Sequence, residues 1–91
     1  MKNNDLKYLE KILKAMANSR RLAILRYLKF HKEASVGEMA NEINLSIKAT
    51  SKHMGILSAL DILEKDQRNL QVFYRISSNK NSLFKHLLSI F

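Results

Sequence analysis

The chain has no cysteine, no proline, and only two glycines, Gly37 and Gly55. Without cysteine there is no disulfide framework, no thiolate metal site and no thiol switch. Two separated glycines exclude a glycine-rich loop of the kind that cradles phosphates. No apolar run approaches the roughly 20 residues of a membrane-crossing helix. The N-terminal stretch MKNNDLKYLEKILK is helically periodic rather than signal-like, so a cytoplasmic location is expected. No linker, low-complexity tract or internal repeat divides the 91 residues, and one domain over 1–91 is expected. A chain this short buries a modest fraction of its surface and often gains stability by pairing with a copy of itself.

What is present is basic charge: the formal net charge is +8 and the pI about 10.0, which suits a nucleic-acid partner. Its placement is uneven. Residues 1–34 hold nine basic and three acidic side chains, residues 35–60 two of each, residues 61–76 three of each, and residues 77–91 two basic and no acidic ones. Most of the excess therefore lies away from the stretch LSIKATSKHMGILSAL, residues 45–60, which carries the clearest functional pattern.

Apolar spacing lays out the elements. In DLKYLEKILKAM, residues Leu6, Leu9, Leu13 and Met16 recur at helical spacing with Ile12 beside them. Asn18 is a suitable N-cap for the helix SRRLAILRYLKF, whose stripe is Leu22, Leu25 and Leu28, widened by Ile24. Ser35 and Glu38 form the capping-box pattern S-x-x-E before VGEMANEI. Asn44 tolerates the left-handed conformation that ends a helix, Leu45 plugs a tight turn, and Ser46 caps the next helix. Helix, turn of about three residues, helix is the form of a helix-turn-helix, over residues 35–60. Gly55 weakens its second helix by up to about 1 kcal/mol relative to alanine, and its missing side chain allows a close approach.

After residue 60 the period changes to two. Val72, Tyr74 and Ile76 alternate with Gln71, Phe73 and Arg75, which is strand spacing. Arg68 and Asn69 are placed at a hairpin tip, since asparagine accepts the positive φ such turns need. The final NSLFKHLLSIF puts Leu83, Leu87 and Ile90 on one face with Phe84, Leu88 and Phe91 beside them, too apolar a helix to stand bare on a monomer. The expected fold is mainly α with a small β-hairpin: a winged helix-turn-helix of about five helices and a two-stranded wing over 61–77.

In order and spacing, LKAMANSRRLAILRYL, VGEMANEINLSIKATSKHMGIL and LEKDQRNLQVFYRIS resemble the ArsR-type family of bacterial and archaeal regulators over roughly residues 10–91. The resemblance implies a symmetric dimer joined through the first and last helices (1–17 and 79–91) and bound to a palindromic operator in double-stranded DNA. It implies that residues 47–53 enter the major groove while the wing grips phosphates, and that the protein is a transcriptional regulator, a repressor above all.

The departures are informative. The family's thiol sensors carry a C-x-C pair where Ser35 and Gly37 stand here. Its zinc sensors carry Asp and His ligands on the last helix, where this chain offers His86, with Ser89 a turn later, and no acidic residue after Asp66. Zinc needs three or four N, O or S donors, so no metal or other cofactor is expected, and His86 reads as a surface or interface residue. Ile47 replaces a polar reader of base edges and offers only apolar contact, for example to a thymine methyl. Asp61 replaces a glycine between the recognition helix and the wing, a substitution expected to cost local strain.

The candidate DNA contacts are Ile47, Lys48, Ser51, Lys52, His53, Arg68 and Asn69. Lys48 and Lys52 lie one turn apart and reach phosphate or guanine acceptors. Ser51 is a small groove-facing residue and His53 a phosphate donor at the edge of the buried face, with a satisfied boundary histidine as its alternative. Arg68 and Asn69 extend the contact from the wing. His31 suits a helix end, where the dipole favours a cation. Arg20 and Arg21 at a helix start sit against the dipole, which suggests a phosphate or carboxylate partner or, for Arg21, a structural role. Met16, Met39, Met54 and Tyr74 are expected in the core. Catalysis has no support: Ser51 and His53 are two apart on a helix and face different ways, and no nucleophile elbow or paired-carboxylate motif is visible. Two rival functions are a winged-helix protein-docking module using Ile47 and the gap at Gly55, and a sensor with an unfamiliar effector site.

Overall fold

The structure, a computed structural model, describes residues 6–78 and 82–91, with the side chains of all of these except 82–84. The expected residues 1–5 and 79–81 of the terminal helices, and the side chains of Leu83 and Phe84, lie outside it. Five helices and three strands follow in the order α1 (Leu6–Met16), α2 (Ser19–Phe30), β1 (Ala34–Ser35), α3 (Val36–Ile43), α4 (Ile47–Ala59), β2 (Leu63–Arg68), β3 (Gln71–Ile76) and α5 (Ser82–Ser89).

The helix ends form where local chemistry dictates. Asn18 accepts from the backbone N–H groups of Arg20 and Arg21 at 3.0 and 3.1 Å, so two donors that a helix start leaves open are satisfied. Ser35 and Glu38 close the capping box in both directions. Ser46 Oγ accepts from Ala49 N at 3.1 Å and starts α4. Asn44 is left-handed (φ 56°) and lets Leu45 N reach back to Ala40 O at 3.0 Å, with Leu45 itself half-buried.

The far end of α4 is a Schellman turn built on an aspartate. Asp61 N bonds to Ser58 O and Ile62 N to Leu57 O, at 3.0 and 2.9 Å. Asp61 stands at φ 60°, the position glycine usually fills, so the strain expected from its replacement of glycine has a geometric basis. Leu57 and Ile62, both buried, are the pair such a turn brings together and hold it closed.

The core joins Ile24, Leu25 and Leu28 of α2, Met39 of α3, Met54 and Leu57 of α4, and Leu63 and Tyr74 of the sheet. The expected methionines and Tyr74 are all in it. Two features go beyond what the sequence pattern states. On α1 the buried residues are Tyr8, Ile12, Ala15 and Met16, while Leu6 and Leu13 stay 80% and 51% exposed. The helix has two apolar stripes, and the domain uses the one carrying the aromatic ring. The wing also gains a third strand, in the order β1-β3-β2, with Ala34 opposite Tyr74 and Ser35 opposite Phe73. Two residues are too few to show a period, and Ser35 serves also as the N-cap of α3.

Candidate nucleic-acid interface

The recognition helix α4 divides into two faces. Thr50, Met54 and Leu57 are fully buried. Ile47, Lys48, Ser51, Lys52 and Gly55 are exposed, Ile47 to 63%. Neither Lys48 nor Lys52 has an ion pair or hydrogen bond among the described residues. Two cations one turn apart, a hydroxyl between them and an isoleucine at the leading end therefore face solvent together. A Cβ added at Gly55 would meet nothing within 4 Å, so this glycine continues an open face and serves no close approach within the chain.

His53 sits at the boundary, half-buried, with its Nδ1 3.2 Å from Arg21 Nη1. An arginine only donates, so Nδ1 is the acceptor and the neutral ring carries its proton on Nε2. Burial, then the charges of Arg21 and Arg20, hold the His53 pKa below its ordinary 6.5. At neutral pH this side chain offers an N–H donor rather than a cation.

Arg21 also donates Nε to Ala15 O at 2.7 Å, tying the end of α1 to α4 through the histidine. Arg20 donates Nη1 to Ile43 O at 2.9 Å, at the end of α3. Both arginines thus find partners in backbone carbonyls, which answers their misfit with the helix dipole and places Arg21 in a structural role. No local pattern announces this, because the partner atoms of Arg20 and of the Arg21–His53 contact lie 23 and 32 residues away.

The wing differs from the helix in its charge. Its two-residue tip is Asn69 and Leu70, between Arg68 and Gln71, which are paired across the ladder. Of the two tip residues only Asn69 has positive φ, at 57°. Arg68 is the last residue of β2, hydrogen-bonded to Glu33, 3.2 Å from Asp66 and stacked 4.1 Å over the Phe73 ring. The bond to Glu33 raises its already high pKa further. Arg75 is likewise paired with Glu64 and Asp66, at 3.2 and 3.6 Å. Leu70 at the tip is 98% exposed. Arg68, expected at the tip, instead closes β2, and the tip falls one residue later on Asn69 and Leu70.

A helix pair closed by a tight turn, the second helix unpartnered on its outer face, and a hairpin wing beside it define a winged helix-turn-helix protein. Residues 16–66 match the family model described as a helix-turn-helix domain. The transcriptional activator HlyU of Vibrio cholerae is 39% identical over 77 residues, which is 85% of this chain and 70% of HlyU. The reduced HlyU structure superposes with a TM-score of 0.77 at 34% identity, covering 93% of this chain and 90% of that one. The nodulation protein NolR of Rhizobium meliloti is 36% identical over 78 residues, 86% of this chain; the match spans 62% of NolR, under two thirds of its length. A homodimeric winged helix-turn-helix DNA-binding domain from Mycobacterium bovis, described as a possible ArsR-family transcriptional regulator, matches with a TM-score of 0.81 and 26% identity, over 93% of this chain and 79% of that one. The chain belongs to the ArsR-type family of winged helix-turn-helix transcriptional regulators.

Among the described residues no helix is long and apolar enough to cross a membrane, and no three histidine or carboxylate side chains gather as a metal site.

Proposed function

We propose that the protein is a cytoplasmic, homodimeric repressor that reads a palindromic operator through α4 and works without a catalytic step. One observation carries this function: Lys48, Ser51 and Lys52 project from one face of α4 with both ammonium groups unpaired among the described residues. Such lysines grip phosphate or donate to guanine, and Ile47 adds apolar contact to a thymine methyl. His53 donates through Nε2 to the backbone at the groove edge. Asn69 and Leu70 bring the wing tip to the adjacent groove, where Arg68 acts mainly by holding the wing in shape.

Dimerisation is supported by the apolar stripe that α1 leaves exposed at Leu6 and Leu13, because patches of this kind on a small domain mark association surfaces. The homodimeric relative from Mycobacterium bovis supports it independently. In the proposed division of the domain, residues 1–17 and 79–91 pair the subunits, 35–60 read the DNA and 61–77 form the wing. Two recognition helices would then enter successive major grooves about 34–36 Å apart. Occupancy of a promoter excludes polymerase; the same contact upstream would serve an activator such as HlyU.

The test is in vitro selection from random duplex DNA at about 150 mM salt, where non-specific binding is already weak. An enriched inverted repeat is expected. No enrichment by a folded protein would refute operator reading and favour a docking role for the exposed Ile47.

A further inference from the structure

A cleft of about 430 Å³ lies between the outer face of α2 and the end of α3, away from the exposed face of α4. Its walls include Arg20, Arg26, Tyr27, Phe30, His31 and Glu42. This volume falls in the range of small-molecule sites, and three features of its lining restrict the ligand.

The first is flat aromatic surface. The Tyr27 and His31 rings stack at 4.0 Å, 10° from parallel, and Phe30 stands beside them 65% exposed. Lys29 Nζ lies 5.5 Å over the Phe30 ring, and the outward aromatic surface that these contacts leave favours a planar ring through offset stacking. The second is uncommitted positive charge. Arg26 has no partner among the described residues, and Arg20 uses one nitrogen on Ile43 O and keeps its other donors free. Guanidinium forks match a carboxylate in two-point contact. The third is Glu42, also unpaired among the described residues, which repels a polyanion but accepts from a hydroxyl or amino group. His31 lies in the same lining: its Nδ1 is 3.1 Å from the Tyr27 carbonyl, which can only accept, so Nδ1 is the donor and Nε2 is the ring nitrogen left without a partner among the described residues.

We propose that this cleft binds a small aromatic monocarboxylate bearing a hydroxyl or amino donor, and that the ligand acts as an effector of DNA binding. The carboxylate lies between Arg20 and Arg26, the ring packs on Tyr27 and Phe30, and the donor meets Glu42 or His31. Coupling follows from Arg20, because the guanidinium that would meet the carboxylate is the one bonded to Ile43 O, one residue before the left-handed Asn44 of the helix-turn-helix. An occupied cleft competes for that bond and loosens the turn that aims α4. The effector role rests on the DNA-binding function proposed above; the binding site does not.

The probe is 4-hydroxybenzoate, titrated into the full chain without DNA and followed by backbone amide NMR shifts. Saturable shifts on α2 and the end of α3 are expected, with a Kd below about 1 mM, within reach of a ligand this size. Arg26→Gln should weaken binding about tenfold and Phe30→Ala several-fold. Both residues are exposed, so the amide spectrum itself shows whether each variant is folded. No saturable shift, shifts elsewhere, or equal affinity for uncharged 4-hydroxybenzyl alcohol would overturn the site. A Phe30→Ala variant that loses self-association while binding the probe unchanged would overturn it too, assigning the face to a second copy. With the selected operator, the probe should lower DNA affinity at least threefold; saturation of the cleft with DNA affinity unchanged would overturn the effector role.

Discussion

The recognition helix and the wing both carry basic residues, and they use them in opposite ways. On α4, Lys48 and Lys52 have no acidic neighbour in contact among the described residues. On the wing, Arg68 and Arg75 are held by Glu33, Glu64 and Asp66, and Lys65 alone of the wing's basic side chains lacks a partner among the described residues. Two of the three basic residues over 61–76 are therefore spent on internal ion pairs, whereas the two basic residues on the helix are available charge. Counted charge says little about polyanion binding until its partners are known. The same distinction separates Arg21, whose donors go to Ala15 O and His53 Nδ1, from a phosphate site that its sequence position suggests.

The contrast can be broken most strongly at the helix. Replacing Lys48 and Lys52 together by alanine should lower operator affinity about thirty-fold per subunit at 0.15 M salt, and so about a thousand-fold for the dimer, the counterion-release contribution of two phosphate contacts in each subunit with log–log slopes near −0.9 each. A filter-binding or anisotropy titration at that salt gives the ratio, and affinity within twofold of the native chain would remove these lysines from the interface.

The buried side of the same helix sharpens the contrast. Thr50 is fully buried and its Oγ1 has no hydrogen-bond partner among the described residues, an arrangement that costs about 1–3 kcal/mol. Thr50→Val should raise stability in urea unfolding by about 1 kcal/mol and leave operator affinity unchanged. Loss of stability would mean that the hydroxyl has a partner.

A smaller effect is expected at the boundary between the faces. His53 has a depressed pKa in the folded chain, so the unfolded chain binds the proton more readily. The stabilisation that this site provides is present above pH 6.5, the ordinary value, and is lost as pH falls through the lower folded value. Melting temperatures between about pH 5 and 8 should show a steeper acid-side fall in the native chain than in His53→Gln. Parallel curves would separate the fall from this histidine.

The smallest effect on DNA binding is expected from Arg68→Ala. With its charge already committed to Glu33 and Asp66, its loss should lower thermal stability slightly and cost operator affinity far less than the lysine pair does. An equal loss would show that the wing's ion pairs open to reach DNA.

What could be read from sequence tracks the distance over which each interaction acts. The caps at Asn18, Ser35–Glu38 and Ser46 are closed by atoms two or three residues apart, and each was legible. So were the left-handed Asn44 and the substituted turn at Asp61, since their conformations follow from local backbone sterics. The outward face of α4 was legible for the same reason, being the complement of Thr50, Met54 and Leu57. The Arg68–Glu33 bond joins residues 35 apart and leaves no local trace. β1 was invisible at two residues, and on α1 periodicity offered two stripes without saying which one a single subunit buries. The cleft beside α2 is legible only once Arg20, Phe30 and Glu42 share one space.

The most direct measurement is the salt dependence of operator binding for three proteins side by side: the native chain, Lys48→Ala/Lys52→Ala, and Arg68→Ala. If free charge on the helix grips the DNA and the wing's charge is spent internally, the double variant loses about 1.8 units of log–log slope per subunit and the Arg68 variant keeps the native slope. A native slope in the double variant, with the loss appearing in Arg68→Ala, would contradict the account.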